Sequence, residues 1–203
     1  MLETEAKFLV GNIRNVEIRL QELGAARIEP RTFENNIRYD QPDKTLSNNS
    51  RLLRLRTDKK TTLTYKGSSE NDNGILKRLE VEVSVEDPIQ VDLILKALGY
   101  EQIFVYEKYR TTYEYLNTRI MLDELPMGDF IEIEAVDPFG AEAIHRVADQ
   151  LKLQSGASIP MSYHALFERL RHSAGFGFVD LTFNNFKQLA IHPEDLGIHR
   201  ADE

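Results

Sequence analysis

The stretch LETEAKFLV, Leu2–Val10, alternates charged and apolar residues from its second position onward. Glu3, Glu5 and Lys7 fall on one face of an extended chain, opposite a mainly apolar face, because successive side chains of a β-strand point to opposite sides. A solvated strand face usually mixes Thr, Ser, Gln and Lys, whereas three successive positions of this face are ionised. The stretch therefore predicts a strand whose charged face has a chemical role.

Six further segments repeat this alternation of charged and apolar positions. They are residues 52–57, 61–66, 78–85, 106–113, 119–124 and 129–135. Amphipathic strands with one solvated face are the common explanation of such a pattern. Glu is a poor strand former, however, and its repeated use two residues apart favours a functional explanation. If the sheet closes into a barrel with helices outside, the apolar faces meet the helices and the charged faces line a lumen.

Four segments have helical rather than strand spacing. They are residues 12–23, the segment from Asp87-Pro88 to Leu98, residues 140–151 after Asp137-Pro138, and residues 162–172. The stretches 39–50 and 67–74 read as loops because they are rich in Asn, Asp, Ser and Gly. Periodicity ends near residue 173. The sequence thus predicts an α+β domain over residues 1–172 and a tail over residues 173–203.

The predicted lumen combines both signs of charge. Its cationic groups are Lys7, Arg54, Arg56, Lys66, Arg78, Lys108, Arg110 and Arg119. Its carboxylates are Glu3, Glu5, Glu80, Glu82, Asp123, Glu132 and Glu134. Converging arginines suit the forked binding of phosphate oxygens. Carboxylates would repel such an anion unless they hold a divalent cation, and hard oxygen ligands favour Mg²⁺ or Mn²⁺. We therefore expect a metal-complexed polyphosphate ligand.

Composition excludes several other classes of function. The chain has 203 residues and no cysteine, which rules out disulfides, thiolate zinc sites and cysteine nucleophiles. Its formal net charge of −8 argues against a nucleic-acid partner. No long apolar window and no secretory signal are visible, so we expect no membrane span and a cytoplasmic protein.

Taken together, these motifs resemble the CYTH superfamily, also called triphosphate tunnel metalloenzymes. The resemblance starts at Glu3-x-Glu5-x-Lys7 and continues, in order, through LRLR, LTYKG, RLEVEV, EKYRTTY, LDELPMGDFIEIE and SYHALF, ending near residue 172. It implies a closed eight-stranded antiparallel barrel that forms a tunnel, with helices packed outside.

The resemblance also implies roles for individual residues. Triphosphate would be held by Lys7, Arg54, Arg56, Lys66, Lys108 and Arg110. Metal would be carried by Glu3, Glu5, Glu132 and Glu134, with Glu80, Glu82 and Asp123 completing the acidic set. Arg78 and Arg119 are added from strand parity alone. A basic residue of a C-terminal helix is also implied near the tunnel, and Arg169, Arg171 and Lys187 are the candidates.

Three functions are consistent with these residues. The favoured one is metal-dependent hydrolysis of inorganic, thiamine or nucleoside triphosphate by water. A class IV adenylyl cyclase that forms cyclic AMP and pyrophosphate, and a non-catalytic polyphosphate or nucleotide binder, remain as alternatives. Four tyrosines of one strand, Tyr106, Tyr109, Tyr113 and Tyr115, are expected on the barrel exterior, and the five histidines in structural or surface positions. Three alternatives remain for the tail: it covers a mouth of the tunnel, it mediates formation of a homodimer, or it is disordered.

Overall fold

The computed structural model describes residues 2–136 and 140–202, and within them eight strands form one antiparallel sheet that closes on itself. The strands are β1 Leu2–Val10, β2 Ala26–Asp40, β3 Leu52–Thr57, β4 Thr61–Asp72, β5 Ile75–Val85, β6 Glu101–Tyr115, β7 Thr118–Leu125 and β8 Gly128–Ala135. Their order around the ring is β1-β5-β4-β3-β2-β6-β7-β8, and β8 pairs back onto β1. The predicted α+β closed barrel is confirmed.

Strand β1 closes the ring, and its register sets the charged lumen. Glu5 lies opposite Glu134 and Lys7 opposite Glu132 on β8, while Glu3 lies opposite Arg78 on β5. The apolar face of β1 packs outward, because Ala6 and Phe8 belong to a buried apolar cluster with the helices. The period of two residues therefore divides β1 between the lumen and the outer core.

Strand β2 is absent from the sequence prediction. Its 15 residues carry the polar run around Asn35 and Asn36 and include Pro30, which cannot donate a ladder hydrogen bond. The strand tolerates these residues because its pairing with β6 is irregular, with register shifts between Arg27 and Thr32. Sequence propensity alone gives no strand signal here.

Helices cover much of the outer surface. They are α1 Ile13–Glu22, α2 Thr45–Asn48, α3 Pro88–Ala97, α4 Gly140–Gln150, α5 Tyr163–Ala174 and α6 Pro193–Leu196. The four predicted helices are α1, α3, α4 and α5. Asn12 and Asp87 accept backbone N–H groups at the starts of α1 and α3, as N-cap residues do. Asp137 and Pro138, expected before α4, lie outside the described residues. None of the helices in the described ranges is long and apolar enough to cross a membrane.

The prediction that helices cover the apolar strand faces is wrong at β5. Leu79, Val81 and Val83 on its outer face are 46%, 54% and 55% exposed. Helix α3 packs against the outer side of β2, β3 and β4, where Leu95 contacts Tyr39 and Leu55 in one cluster. Helices α1 and α4 cover β1, β7 and β8. Ile75 and Val85 at the two ends of β5 do pack with the helices, so the exposed part is the middle of the strand.

The segment after α5 packs against the barrel. The Leu181 N–H donates to the Val105 carbonyl and the Leu181 carbonyl accepts from the Glu107 N–H, which adds a short parallel bridge beside β6. Near the chain end, the Ala201 N–H donates to the Leu9 carbonyl. Leu181 is fully buried in a cluster shared with α5. The predicted boundary at residue 172 falls inside α5.

Candidate functional site

The barrel encloses a cavity of about 1320 Å³ that runs through its lumen. Among the described residues, twelve lysines and arginines and nine carboxylates line it. The chain as a whole is acidic, yet the cavity wall carries more positive than negative side chains. Such a wall attracts an anion of high charge even though the protein's net charge would repel one.

Fourteen of the fifteen predicted site residues line this cavity. They are Glu3, Glu5, Lys7, Arg54, Arg56, Lys66, Arg78, Glu80, Glu82, Lys108, Arg110, Arg119, Glu132 and Glu134. The fifteenth, Asp123, does not line it. Strand parity therefore locates the lumen-facing groups well, while the roles assigned to them stay predictions.

A first ion-pair network joins β1, β4 and β5. Lys66 Nζ lies 2.6 Å from Glu3 Oε1 and 3.3 Å from Glu80 Oε2. Arg78 bridges two carboxylates of β1, with its Nε 2.9 Å from Glu3 and its Nη2 2.9 Å from Glu5. Each buried charge thus has a partner, which reduces the cost of holding ions away from bulk water.

A second network is centred on Asp123, which is fully buried. Its carboxylate accepts hydrogen bonds from Lys108 Nζ, from Nε and Nη2 of Arg110 and from the Tyr163 hydroxyl. A carboxylate with this many donors, set behind the cavity wall, orients cations. The assignment of Asp123 to the metal-binding set stays a prediction, and in this structure its contacts are with hydrogen-bond donors.

Glu132 connects this network to β1. It pairs with Lys7 Nζ at 3.2 Å and with Arg110. Burial acts to raise the pKa of Glu132, but Lys7 and Arg110 outweigh it and hold the pKa well below its ordinary value. Glu132 is consequently an ionised partner of the cations.

Glu5 and Glu134 behave differently from Glu132. They are opposite one another on β1 and β8, and Glu134 forms no hydrogen bond or ion pair with the residues the structure describes. Burial raises the pKa of Glu5, with Glu132 and Glu3 adding to the shift. Burial, followed by repulsion from Glu3, raises the pKa of Glu134 to about 7. A divalent cation between two such carboxylates would relieve their repulsion.

No larger metal-binding cluster is already assembled. Across residues 2–136 and 140–202, no group of three or more His, Asp or Glu side chains is gathered so that it could hold a metal ion. Mg²⁺ typically binds one or two carboxylates together with water and substrate phosphates. The Glu5–Glu134 pair fits that mode, in which the substrate supplies the remaining ligands.

Strand β2 contributes cavity residues that the sequence prediction missed. Glu34 and Arg38 line the lumen, and both are buried. Burial acts to raise the pKa of Glu34, but Lys108 and Arg110 lower it to about 2. The signal that finds these residues is parity: once β2 is recognised as a strand, positions 34, 36 and 38 share one face.

Helix α5 borders the cavity through Tyr163 and His164. Lys7 Nζ sits 4.0 Å from the centre of the Tyr163 ring, and the His164 ring packs 4.4 Å from that of Phe104. Burial, followed by the charge of Arg38, lowers the pKa of His164 to about 4, so the ring is neutral at pH 7. A histidine expected in a structural position thus also borders the site.

The other C-terminal candidates lie elsewhere. None of the basic residues Arg169, Arg171 and Lys187 is among the cavity residues that the structure describes. The Arg169 guanidinium fills the space beside Gly197, and Arg171 pairs with Glu168 of its own helix. The resemblance therefore implies a basic residue that these three positions do not supply.

The tyrosine prediction is correct for three of its four residues. Tyr113 bonds Glu17 of α1, Tyr115 bonds Gln150 of α4, and Tyr109 packs against Phe33, all on the outside. Tyr106 instead faces the lumen, because it shares the parity of Lys108. Its hydroxyl accepts a hydrogen bond from Arg54 Nη1 at 3.2 Å.

Comparisons with known proteins agree with this architecture. A family model described as the CYTH domain matches residues 1–163. A putative adenylate cyclase from Methanocaldococcus jannaschii is 29% identical over 136 residues, which cover 66% of this chain and 77% of the relative. A solved protein from Pyrococcus horikoshii superposes with a TM-score of 0.69 at 27% identity, covering 79% of this chain and 96% of that protein.

A third similarity concerns the fold alone. A putative adenylyl cyclase from Hippeastrum with a dominant triphosphatase activity superposes with a TM-score of 0.62 at 15% identity, covering 82% of this chain and 95% of that protein. Since the family model spans most of the chain and the barrel carries the charged lumen described above, the protein belongs to the CYTH domain family.

Proposed function

We propose that this protein is a divalent-metal-dependent hydrolase whose substrate is a small-molecule triphosphate, attacked by water at its terminal phosphorus inside the tunnel. The observation that carries the proposal is the interleaving of twelve cations and nine carboxylates around one enclosed cavity. Eight of these charged residues are buried, which is costly in a resting fold: Glu3, Glu5, Lys7, Glu34, Arg38, Lys66, Lys108 and Glu132. A highly charged anion would replace the carboxylates as the partner of the basic side chains. A metal ion would then bind the released carboxylates. The two ligands together explain why the cavity carries both positive and negative groups.

The basic side chains have the binding role in this proposal. Lys7, Lys66 and Lys108 each pair with a carboxylate in the absence of substrate, and each presents donors suited to phosphate oxygens. Arg110 is held in place by Asp123. In phosphoryl transfer, positioning and charge neutralisation supply most of the rate enhancement. These cations would neutralise negative charge on the phosphate oxygens and on the leaving group.

The metal would be Mg²⁺ or Mn²⁺, held by Glu5 and Glu134 with Glu3 beside them. When bound, such an ion polarises phosphate oxygens and lowers the pKa of a bound water. Glu132 would remain paired with Lys7 and Arg110 and keep those cations oriented. The enclosed barrel wall limits the access of bulk water, which strengthens each of these electrostatic interactions.

A class IV adenylyl cyclase is the second candidate, and the name of the Methanocaldococcus relative favours it. A cyclase must hold adenine as well as phosphates. Of the tyrosines lining the described cavity, Tyr163 is covered by Lys7, and Tyr106 stacks on Phe104 and bonds Arg54. Both residues are only 7% exposed and one face of each ring is already occupied, which favours hydrolysis over cyclisation.

Turnover assays separate these functions. We expect phosphate release from tripolyphosphate, thiamine triphosphate or ATP in the presence of Mg²⁺ or Mn²⁺, and no cyclic AMP from ATP. Glu5→Gln should lower the hydrolysis rate by about two orders of magnitude or more, as the loss of a metal-binding residue does. The matched control is Glu124→Gln, which removes a carboxylate from the outside of β7.

Three outcomes would contradict the proposal. Cyclic AMP formation without phosphate release would favour the cyclase. Tight tripolyphosphate binding without any turnover would favour a non-catalytic binder. That function would leave the lumen carboxylates unexplained. Unchanged hydrolysis by Glu5→Gln would show that the metal site is assigned wrongly.

A further inference from the structure

Arg38 on β2 is a buried cation that forms no ion pair with a carboxylate of the described residues. The residue is 8% exposed and lines the cavity. It forms no hydrogen bond or ion pair with any residue in the described ranges, and its Nε is among the buried polar atoms without a partner. A buried charge normally keeps a partner, because leaving water costs several kcal/mol. The fold itself therefore supplies no partner for the Arg38 guanidinium, which leaves it available to an external anion.

A second arginine stands directly beside it. The register of β2 and β3 places Arg54 opposite Arg38, and the Arg54 Nε is also buried and without a partner. Like charges in directly opposed positions of a sheet destabilise it. Asp40, two residues along β2, attracts Arg38 electrostatically but forms no hydrogen bond with it, because its oxygens accept from Leu46, Ser47 and Gln41. The two guanidinium groups thus form a cationic pair within the lumen.

The first turn of α5 completes this region. Ser162, Tyr163, His164 and Ala165 all line the cavity, and α5 is 12 residues long. The N-terminus of a helix carries partial positive charge and presents backbone N–H groups, which bind anions well. Arg38 lies close enough to His164 to lower the pKa of that ring. A buried arginine without a hydrogen-bonding partner and a helix N-terminus therefore both border the cavity, near enough to interact electrostatically.

The three buried lysines of the lumen differ from Arg38 in this respect. Lys7, Lys66 and Lys108 each pair with at least one carboxylate, so an anion must displace that carboxylate before it binds. At Arg38 no displacement is required. The cavity wall around Arg38 is therefore able to accept an anion before any ion pair is broken.

We propose that Arg38, Arg54 and the first turn of α5 form a subsite for the free terminal phosphate of the substrate, with Arg38 as the residue that selects for that terminal group. The inference rests on the proposed function, since it takes the substrate to be a linear triphosphate. A terminal phosphate offers three acceptor oxygens and close to two negative charges, which two guanidinium forks can share. An internal phosphate has fewer free oxygens and less charge.

Binding measurements test this subsite without turnover. Isothermal titration in the presence of a chelator would compare tripolyphosphate with trimetaphosphate, a cyclic triphosphate that has no terminal group. Arg38→Gln should weaken tripolyphosphate binding by about tenfold or more, as expected for a lost charge-assisted hydrogen bond. Trimetaphosphate binding, where present, should change by less than about twofold. The matched control, Arg27→Gln, removes an exposed arginine of the same strand outside the cavity and should leave both affinities unchanged.

Thermal unfolding supplies an independent readout. Because Arg38 has no partner in the ligand-free fold, Arg38→Gln should raise the unfolding temperature without ligand and reduce the further rise that tripolyphosphate produces. A purely structural arginine would give the opposite sign in the absence of ligand.

The outcomes separate this inference from the proposed function. Equal weakening of linear and cyclic triphosphate by Arg38→Gln, unchanged tripolyphosphate affinity, or a failure of the wild type to bind tripolyphosphate would each overturn the subsite. Binding that depends on Arg38 in a protein that never hydrolyses tripolyphosphate would support the subsite and remove only the proposed hydrolase activity.

Discussion

At the scale of single residues, Asp123 shows how the tunnel keeps its cations in place. Its carboxylate is fully buried and accepts from Lys108, Arg110 and the Tyr163 hydroxyl, which lie on β6 and α5. One anion therefore fixes two cations and attaches α5 to the barrel wall. Asp123 is fully buried and is not among the residues that line the cavity, so its contacts indicate that it orients Lys108 and Arg110.

Asp123→Asn should destabilise the protein strongly. The change leaves Lys108 and Arg110 without their shared carboxylate, and removing one partner of a buried ion pair costs about 3–5 kcal/mol. Urea unfolding would measure the difference in the free energy of unfolding. The matched control is Glu124→Gln on the next position of β7, whose exposed pair with Arg31 should contribute less than about 1 kcal/mol. Equal stabilities for the two variants would contradict the assigned role of Asp123.

The alternation of residues along a strand predicts which side of the sheet a side chain faces, but not which residues it contacts. The alternation in β1, β3 and β5 correctly identifies side chains that face the lumen, because a strand has only two faces. It cannot tell that Asp123 is saturated by donors while Glu134 has none, since those contacts depend on which strands become neighbours. The difference between a positioning carboxylate and a free one therefore appears only with the fold.

At the scale of elements, α5 connects the tunnel to the apolar core. Tyr163 and His164 border the cavity, while Leu166, Phe167 and Leu170 of the same helix are fully buried in the cluster on its other side. The His164 ring packs against Phe104. Because this ring is held neutral, protonating it works against the folded state.

The pH dependence of stability should reveal His164. Its pKa is about 4 in the folded protein and about 6.5 when unfolded, so the unfolded state binds more protons between these values. The stabilisation is complete above about pH 6.5 and is lost as the pH falls towards 4. Lowering the pH from about 7.5 to 5 should therefore cost the wild type about 1–2 kcal/mol more than it costs His164→Asn.

Urea titrations at the two pH values supply the measurement. His145→Asn, which changes an exposed histidine of α4, is the matched control and should retain the wild-type pH dependence. An identical loss of stability on acidification in His164→Asn and wild type would contradict the buried neutral state of the ring.

The segment after α5 is tested by its buried leucine. Leu181→Ala should destabilise the protein by about 2–5 kcal/mol, because the side chain is completely enclosed and leaves a cavity when truncated. Val179→Ala, two residues earlier and 56% exposed, should cost less than about 1 kcal/mol. Differential scanning calorimetry of both variants measures the effect. Similar unfolding temperatures would show that this segment is not part of the cooperative unit.

Strand β2 and the C-terminal segment escaped prediction for related physical reasons. Strand β2 contains Pro30 and an Asn-Asn pair, so its propensity is low, and tertiary pairing with β3 and β6 determines its conformation. The C-terminal segment has no periodicity because single side chains, such as Phe186 and Leu196, anchor an irregular path. In both cases long-range contacts override the local pattern.

At the scale of the whole molecule, the closed ring explains why charged residues alternate with apolar ones in most strands. Closure removes the sheet edges and creates an inside that no helix can fill. Opposite charges share that inside, and apolar residues face outward to α1, α3 and α4. The charged alternation made a closed barrel a hypothesis and the family resemblance implied it, whereas neither predicted the exposed outer face in the middle of β5.

A crystal structure of the protein with tripolyphosphate is the most direct test of the claim that the lumen is the triphosphate site. The account predicts phosphate groups inside the barrel in contact with Lys7, Lys66 and Lys108, with their ion pairs to Glu132, Glu3 and Asp123 loosened or rearranged. Phosphates bound only to the outer surface, with every lumen ion pair retained, would contradict it.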